Sequence, residues 1–145
     1  MTGRRFRTRT GAAASGRLVE MADPRVALIE RCADIDRAAL GEGAFSPGPA
    51  LWVGRREVAH LDGPGHLDVR LTRSAIRERR AELRGRTCVE LRPGTSDWVR
   101  VQLRSEADYE TAFELVRDAV TANAATAEPG PPPTGTELAR RRRFH

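Results

Sequence analysis

The chain has 145 residues, 39% of them hydrophobic and 31% charged, enough for one domain with a modest core and flexible extras. No apolar run approaches the roughly 20 residues of a membrane-spanning helix, and Arg4-Arg5 is not followed by the apolar stretch of a secretory or twin-arginine signal. The net charge of +5 is carried by the ends: residues 1–21 hold five Arg and one Glu, residues 125–145 four Arg and two Glu, and the interior 16 Arg against 17 acids. A near-neutral interior argues against a broad electrostatic footprint for DNA and leaves only weak, nonspecific phosphate binding through the basic tails.

The first 21 residues are rich in Arg, Thr, Gly and Ala and bury too little to offset the entropy of ordering, which predicts a disordered basic extension. Met21 offers an alternative start to Met1. Asp23-Pro24 then reads as the cap and first residue of a helix whose apolar face is Leu28, Cys32, Ile35, Ala39 and Leu40, stopped by Gly41 and Gly43. Three strands follow, about Ala50 to Val53, Glu57 to Leu61 and His66 to Leu71. Gly54-Arg55 makes the first turn and Asp62-Gly63-Pro64-Gly65 the second. Thr72 caps a second helix over about Arg73 to Arg84, and Thr87 to Leu91 and Asp97 to Arg104 are the fourth and fifth strands. Ser105 and Asp108 resemble a capping box opening a third helix that runs to about Ala122. Glu128 to Gly135 holds four Pro, a flexible linker leading to the Arg140 to Arg143 tail. The expectation is an α+β domain over residues 22–124, ordered α-β-β-β-α-β-β-α: a five-stranded antiparallel sheet with helices on one face, between disordered ends.

A four-residue second turn sets Leu61 opposite His66 and Glu57 opposite Arg70. One face of the hairpin then shows Val58, His60, Leu67, Val69 and Leu71, which makes His60 a core residue. The other shows Glu57, His66, Asp68 and Arg70, and the fifth strand adds Trp98, Arg100 and Gln102. Trp52 joins that face if the Gly54-Arg55 turn sets it across from Glu57, whereas a bulge sends it to the core. Trp52, Glu57, His66, Asp68, Arg70, Trp98 and Arg100 are therefore the candidate ligand-binding set: aromatics beside arginines and carboxylates suit a small aromatic or anionic ligand. The same pattern also fits an ordinary wet face of an antiparallel sheet. His66 beside Asp62 and Asp68 has the makings of a general base. No nucleophile elbow, no metal-ligand spacing and no phosphate loop is present, and no cofactor is expected. Cys32 and Cys88 stand apart, as reduced thiols of a cytoplasmic protein do.

Residues about 44–122 resemble the small actinobacterial proteins of the luciferase family. The resemblance lies in Trp52-Val53-Gly54-Arg55-Arg56-Glu57-Val58-Ala59-His60, His66-Leu67-Asp68-Val69-Arg70-Leu71-Thr72, Ser96-Asp97-Trp98-Val99 and the last helix. It implies a domain shared with the fungal luciferases, whose branch performs an oxygen-dependent oxidation of a hydroxypyrone without metal or flavin, and so a cofactor-independent oxidoreductase as one expectation. It assigns no catalytic residue set, and the larger extensions expected for light emission are missing. A more distant likeness is to the YjbR/MmcQ group, in the strand–Gly turn–strand start, the late Trp-Val strand and the closing helix. That group implies a DNA-binding or protein-interaction module, although the Lys usual after its glycine turn is Arg55 here.

Overall fold

The computed structural model describes residues 23–45 and 47–143. The expectations for residues 1–21 and for the last two residues lie outside them. Helix α1, Pro24–Cys32, starts where the sequence places it: the Asp23 carboxylate accepts from Arg25 N at 2.9 Å and Pro24 opens the first turn. It ends eight residues earlier than the apolar spacing predicts. Asp34, Asp36 and an Arg37 at φ 77 break the backbone, and Ala39–Glu42 becomes an edge strand, β1. Leu40, counted with the helical stripe, is exposed. Gly41 is less a helix stop than a point of close approach, because a Cβ there would press on the Trp52 ring and Pro132.

Strands β2 (Pro49–Val53), β3 (Arg56–Asp62) and β4 (His66–Arg70) form the expected meander. Helices α2 (Arg73–Glu78) and α3 (Arg80–Arg84) are the predicted second helix, broken at Arg79. After β5 (Val89–Leu91) and β6 (Trp98–Gln102) comes α4, Glu106–Ala124. Its capping box is present, Ser105 accepting from Asp108 N and Asp108 accepting from Ser105 N. Among the described residues the sheet is antiparallel throughout and has six strands, one more than the expected five because of β1, in the order β1-β2-β3-β4-β6-β5. The fold is α+β, as the element order predicts.

One face of the sheet is the core. Leu51, Val53, Val58, Ala59, Leu67, Val69, Val99 and Val101 pack under α1 and α4, whose Leu28, Ile29, Cys32, Leu115, Val116 and Ala119 are fully or nearly fully buried. Each such Leu or Val contributes roughly 1.5–3 kcal/mol by leaving water. No helix among the described residues is long and apolar enough to cross a membrane.

The other face is not left open, which departs from the expected arrangement. The segment after α4, expected as a loose linker and tail, crosses it and ends in helix α5, Gly135–Arg143. Leu138 is completely buried there against Ala44, Ala50 and Trp52. The crossing is anchored on the β2–β3 turn. Arg55 N donates to Glu128 O at 2.9 Å, Arg55 Nη1 to Pro131 O at 3.1 Å, and the Arg55 guanidinium pairs with Glu137. Gly54 sits at φ 56, and a Cβ on it would collide with Glu128 O, so this turn needs glycine for its backbone and for its neighbour. Composition hid the docking: four Pro read as a flexible linker, yet a rigid extended strap needs few contacts to hold it.

Candidate functional site

Two local irregularities decide which side chains share the covered face. The β3–β4 loop is Gly63-Pro64-Gly65, one residue shorter than expected, so Asp62 opposes His66 and His60 opposes Asp68. A one-residue change of register moves a side chain to the opposite face. His60 is therefore not a core residue; it lies on the polar face beside Asp68. The same shift alone would send Glu57 into the core. A β-bulge between Leu51 and Trp52 on the β2 side, where Glu57 and Val58 together face Trp52, restores it to the polar face. Val58 and Ala59 can then both be buried in the core. The proposed Glu57–Arg70 cross-strand pair does not form, since β3 meets β4 in a different register.

The result is a continuous buried network. Glu57 and Asp68 are each only 3% exposed. Ala44 N donates to Glu57 Oε2 at 2.8 Å, and Glu57 Oε1 lies 3.1 Å from His60 Nδ1. His60 Nε2 lies 3.2 Å from Asp68 Oδ2. Arg100 Nε donates to Asp68 Oδ1 at 2.9 Å, Arg92 Nη2 to Asp68 Oδ2 at 3.2 Å, and Arg100 also pairs with Asp62. With a carboxylate oxygen facing each ring nitrogen, a neutral imidazole would turn a lone pair toward one of them. Only the imidazolium donates to both. Burial works against that charge, but the hydrogen bonds to Asp68 and Glu57 outweigh it and hold the His60 pKa up at about 9. Burial likewise disfavours the Asp68 carboxylate, and the bonds from His60 and Arg100 overcome it, bringing its pKa down to about 2.

Rings stand over this network. Trp98 and His60 have centroids 5.0 Å apart, and Phe45 is 5.9 Å from each. A cleft of about 260 Å³ opens among Phe45, His60, Asp68, Arg92, Ser96 and Trp98. Next to it, with Phe45 as the shared wall, a second cleft of about 220 Å³ is floored by Trp52, Glu57 and Arg70 and walled by Arg55, Arg56 and Arg141. The Arg70 guanidinium carbon is 4.9 Å from the Trp98 ring centroid, which puts Arg70 at the junction.

Of the seven candidate residues, Glu57, Asp68, Arg70, Trp98 and Arg100 gather here. Trp52 shares the face across from Glu57, but it is completely buried and donates through Nε1 to Glu42 O at 3.0 Å. His66 lies at the far end of β4, opposite Asp62 and Gln102, and takes no part in the network. Sequence reasoning missed His60, Phe45, Arg92 and Arg141. A large aromatic in the Gly- and Pro-rich loop at 41–49 was the available signal for Phe45; nothing local marked Arg141.

Comparison with known families adds one finding. Residues 55–119 match the family described as Luciferase domain. The match runs from the β2–β3 turn into α4 and includes Glu57, His60, Asp68, Arg70, Trp98 and Arg100. Phe45 and Arg141 lie outside it. No curated protein and no solved structure matches the chain.

Proposed function

We propose, from the match of residues 55–119 to the family described as Luciferase domain, that the covered sheet face binds a small, flat aromatic ligand in the Phe45/His60/Trp98 cleft. The carrying observation is the three-ring wall with centroids 5.0–5.9 Å apart, one ring of which is an imidazolium locked between two buried carboxylates. Both His60 nitrogens are committed, so this residue does not shuttle protons. It presents a positively charged ring face, which favours an electron-rich ring and above all a deprotonated phenol or enol. Binding therefore lowers the pKa of a ligand hydroxyl. This is the state from which an electron-rich ring reacts with oxygen, and it is the reading that a cofactor-independent oxidoreductase requires.

Titrating polyphenols and hydroxypyrones against intrinsic fluorescence tests the reading. There are only two Trp, and Trp98 rather than the buried Trp52 is expected to be quenched, so Trp98→Phe should abolish most of the signal. Ligand absorbance should shift toward the phenolate or enolate at pH 7. A flat titration together with empty density in soaked crystals would overturn the reading. An oxygen electrode separates binder from oxidase: steady consumption on mixing supports the oxidase, and none leaves a binding protein.

A further inference from the structure

The arginine-walled cleft beside the aromatic one has a specific unmet need. Its charged groups are nearly all committed. Arg55 and Arg141 share Glu137, Arg56 Nη1 donates to Asn123 Oδ1 at 3.1 Å and Thr126 Oγ1 at 2.8 Å, and Glu57 is taken by His60 and Ala44. Besides the exposed carboxylate of Glu128, which also lines the cleft, Arg70 is the exception. Among the described residues it forms no ion pair, and its Nε is buried without a hydrogen-bond partner. Its guanidinium lies against the Trp98 ring and lines the cleft. A buried donor left unsatisfied costs about 1–3 kcal/mol, more when charged. A folded chain tolerates that where a ligand supplies the acceptor.

We propose that the cleft is an oxyanion site, and that the ligand is a planar aromatic acid whose ring lies in the Phe45/His60/Trp98 cleft and whose carboxylate is received by Arg70 with help from Arg141 of α5. The ligand class rests on the aromatic-cleft reading above; the oxyanion site rests on Arg70. Several observations fit this ligand. The two clefts share Phe45 as a wall, and Arg70 sits 4.9 Å from Trp98, within reach of a group attached directly to a bound ring. A planar guanidinium offers a carboxylate two parallel donors, which a point charge cannot do. Arg141 arrives on the segment that crosses the sheet, is 38% exposed, and is paired with Glu137 only at 3.6 Å, a loose contact that leaves it donors for an incoming anion. The crossing segment is thereby part of the site, and it places a cation that the matched stretch 55–119 does not contain.

The test uses a matched pair of probes, 4-hydroxybenzoate and its neutral isostere 4-hydroxybenzamide, with Kd measured by calorimetry on the full chain. A charge-assisted bond made in a half-buried site predicts that the acid binds about tenfold tighter or more. Arg70→Gln should bring the ratio to near one, Arg70→Lys should restore part of it, and Arg141→Gln, on the exposed rim and safe for folding, should reduce it about threefold. Equal Kd values for the two probes would overturn the oxyanion site and leave the aromatic cleft standing. Failure of both probes to bind would overturn both. A preference for the acid that survives Trp98→Ala but not Arg70→Gln would sink the aromatic cleft alone. A preference untouched by Arg70→Gln and Arg141→Gln would refute the assignment to these residues.

Discussion

The two faces of the sheet are held by different physics. Under α1 and α4 the contacts are apolar, numerous and interchangeable. On the opposite face the apolar contacts are few, Leu138 of the crossing segment against Ala44, Ala50 and Trp52, and beside them a chain of charges runs from Glu57 through His60 and Asp68 to Arg100. The first face builds stability by area, each side chain adding its increment. The second face places charges where water is scarce, which is costly unless every member is paired. Every member of that chain is paired, and Arg70 beside it, whose Nε has no hydrogen-bond partner, lies in the cleft. Sparse packing beside so many oriented charges supports the ligand-binding role proposed for this face.

The sharpest way to break the comparison is at its apolar side. Leu67 and Leu115 are completely buried in the core, and either changed to Ala should cost about 2–5 kcal/mol through lost transfer energy and a residual cavity. Chemical denaturation would read this as a lower midpoint with an unchanged slope. The loss should be nearly independent of pH, because no titrating group enters it.

On the polar side the counterpart is His60→Gln, and here pH decides the size. The His60 pKa lies near 9 in the folded chain, above its ordinary 6.5, so its contribution is complete below about 6.5 and disappears as the pH rises through 9. Asp68 bounds the window from below. Its pKa is held near 2 against an ordinary 3.8, so its contribution is complete above 3.8 and disappears as the pH falls through 2. The difference between wild type and His60→Gln should therefore be largest between about pH 4 and 6.5, of order 2–3 kcal/mol, and should shrink steadily toward pH 9. A difference that stays constant from pH 5 to 9 would mean that His60 is neutral in the fold.

This contrast also marks what could be read from the chain before folding. The apolar face is legible because strict alternation holds through β6 and one residue past its end, where Val99, Val101 and Leu103 are all buried, and because the stripe of α4 keeps helical spacing. The capping residues Asp23 and Ser105 were legible because their chemistry is local. The polar face depended on two one-residue events, a short loop at 63–65 and a bulge at Glu57-Val58. They cancel for Glu57 and not for His60, so simple alternation puts Glu57 on the polar face and His60 in the core. Strand periodicity carries no record of such compensating shifts. The β1 strand was hidden for a related reason, since Ala39 and Leu40 continue a helical pattern that Arg37 interrupts by its backbone alone. The docking of α5 depends on a single leucine and the β2–β3 turn, contacts too sparse for any window of sequence to reveal.

A smaller effect tests whether the crossing segment is a cover that opens by itself. Leu138 is completely buried against Ala44, Ala50 and Trp52. Leu138→Ala should destabilise the docked segment by about 2 kcal/mol, raising amide exchange in α5 some thirtyfold while β4 and β6 amides stay protected to the global limit. Equal acceleration everywhere would show that the segment is part of the cooperative core instead.

The smallest effect belongs to charges outside both faces. Arg31 donates to Glu110 at 3.0 Å between α1 and α4, but the two side chains are 49% and 61% exposed. Glu110→Gln keeps the shape and removes the charge. Water and mobile ions already screen this pair, so its loss should cost about 0.5 kcal/mol or less and vanish in 1 M salt. The Arg31 guanidinium stays seated over the Phe113 ring at 3.8 Å either way, so packing between the helices is preserved. The same salt should leave the His60→Gln difference largely intact, because Asp68 and Glu57 are only 3% exposed and ions do not penetrate between them. Equal salt sensitivity at the two sites would mean that the covered face is as wet as the surface, and the argument for a charged, water-poor ligand site would fail with it.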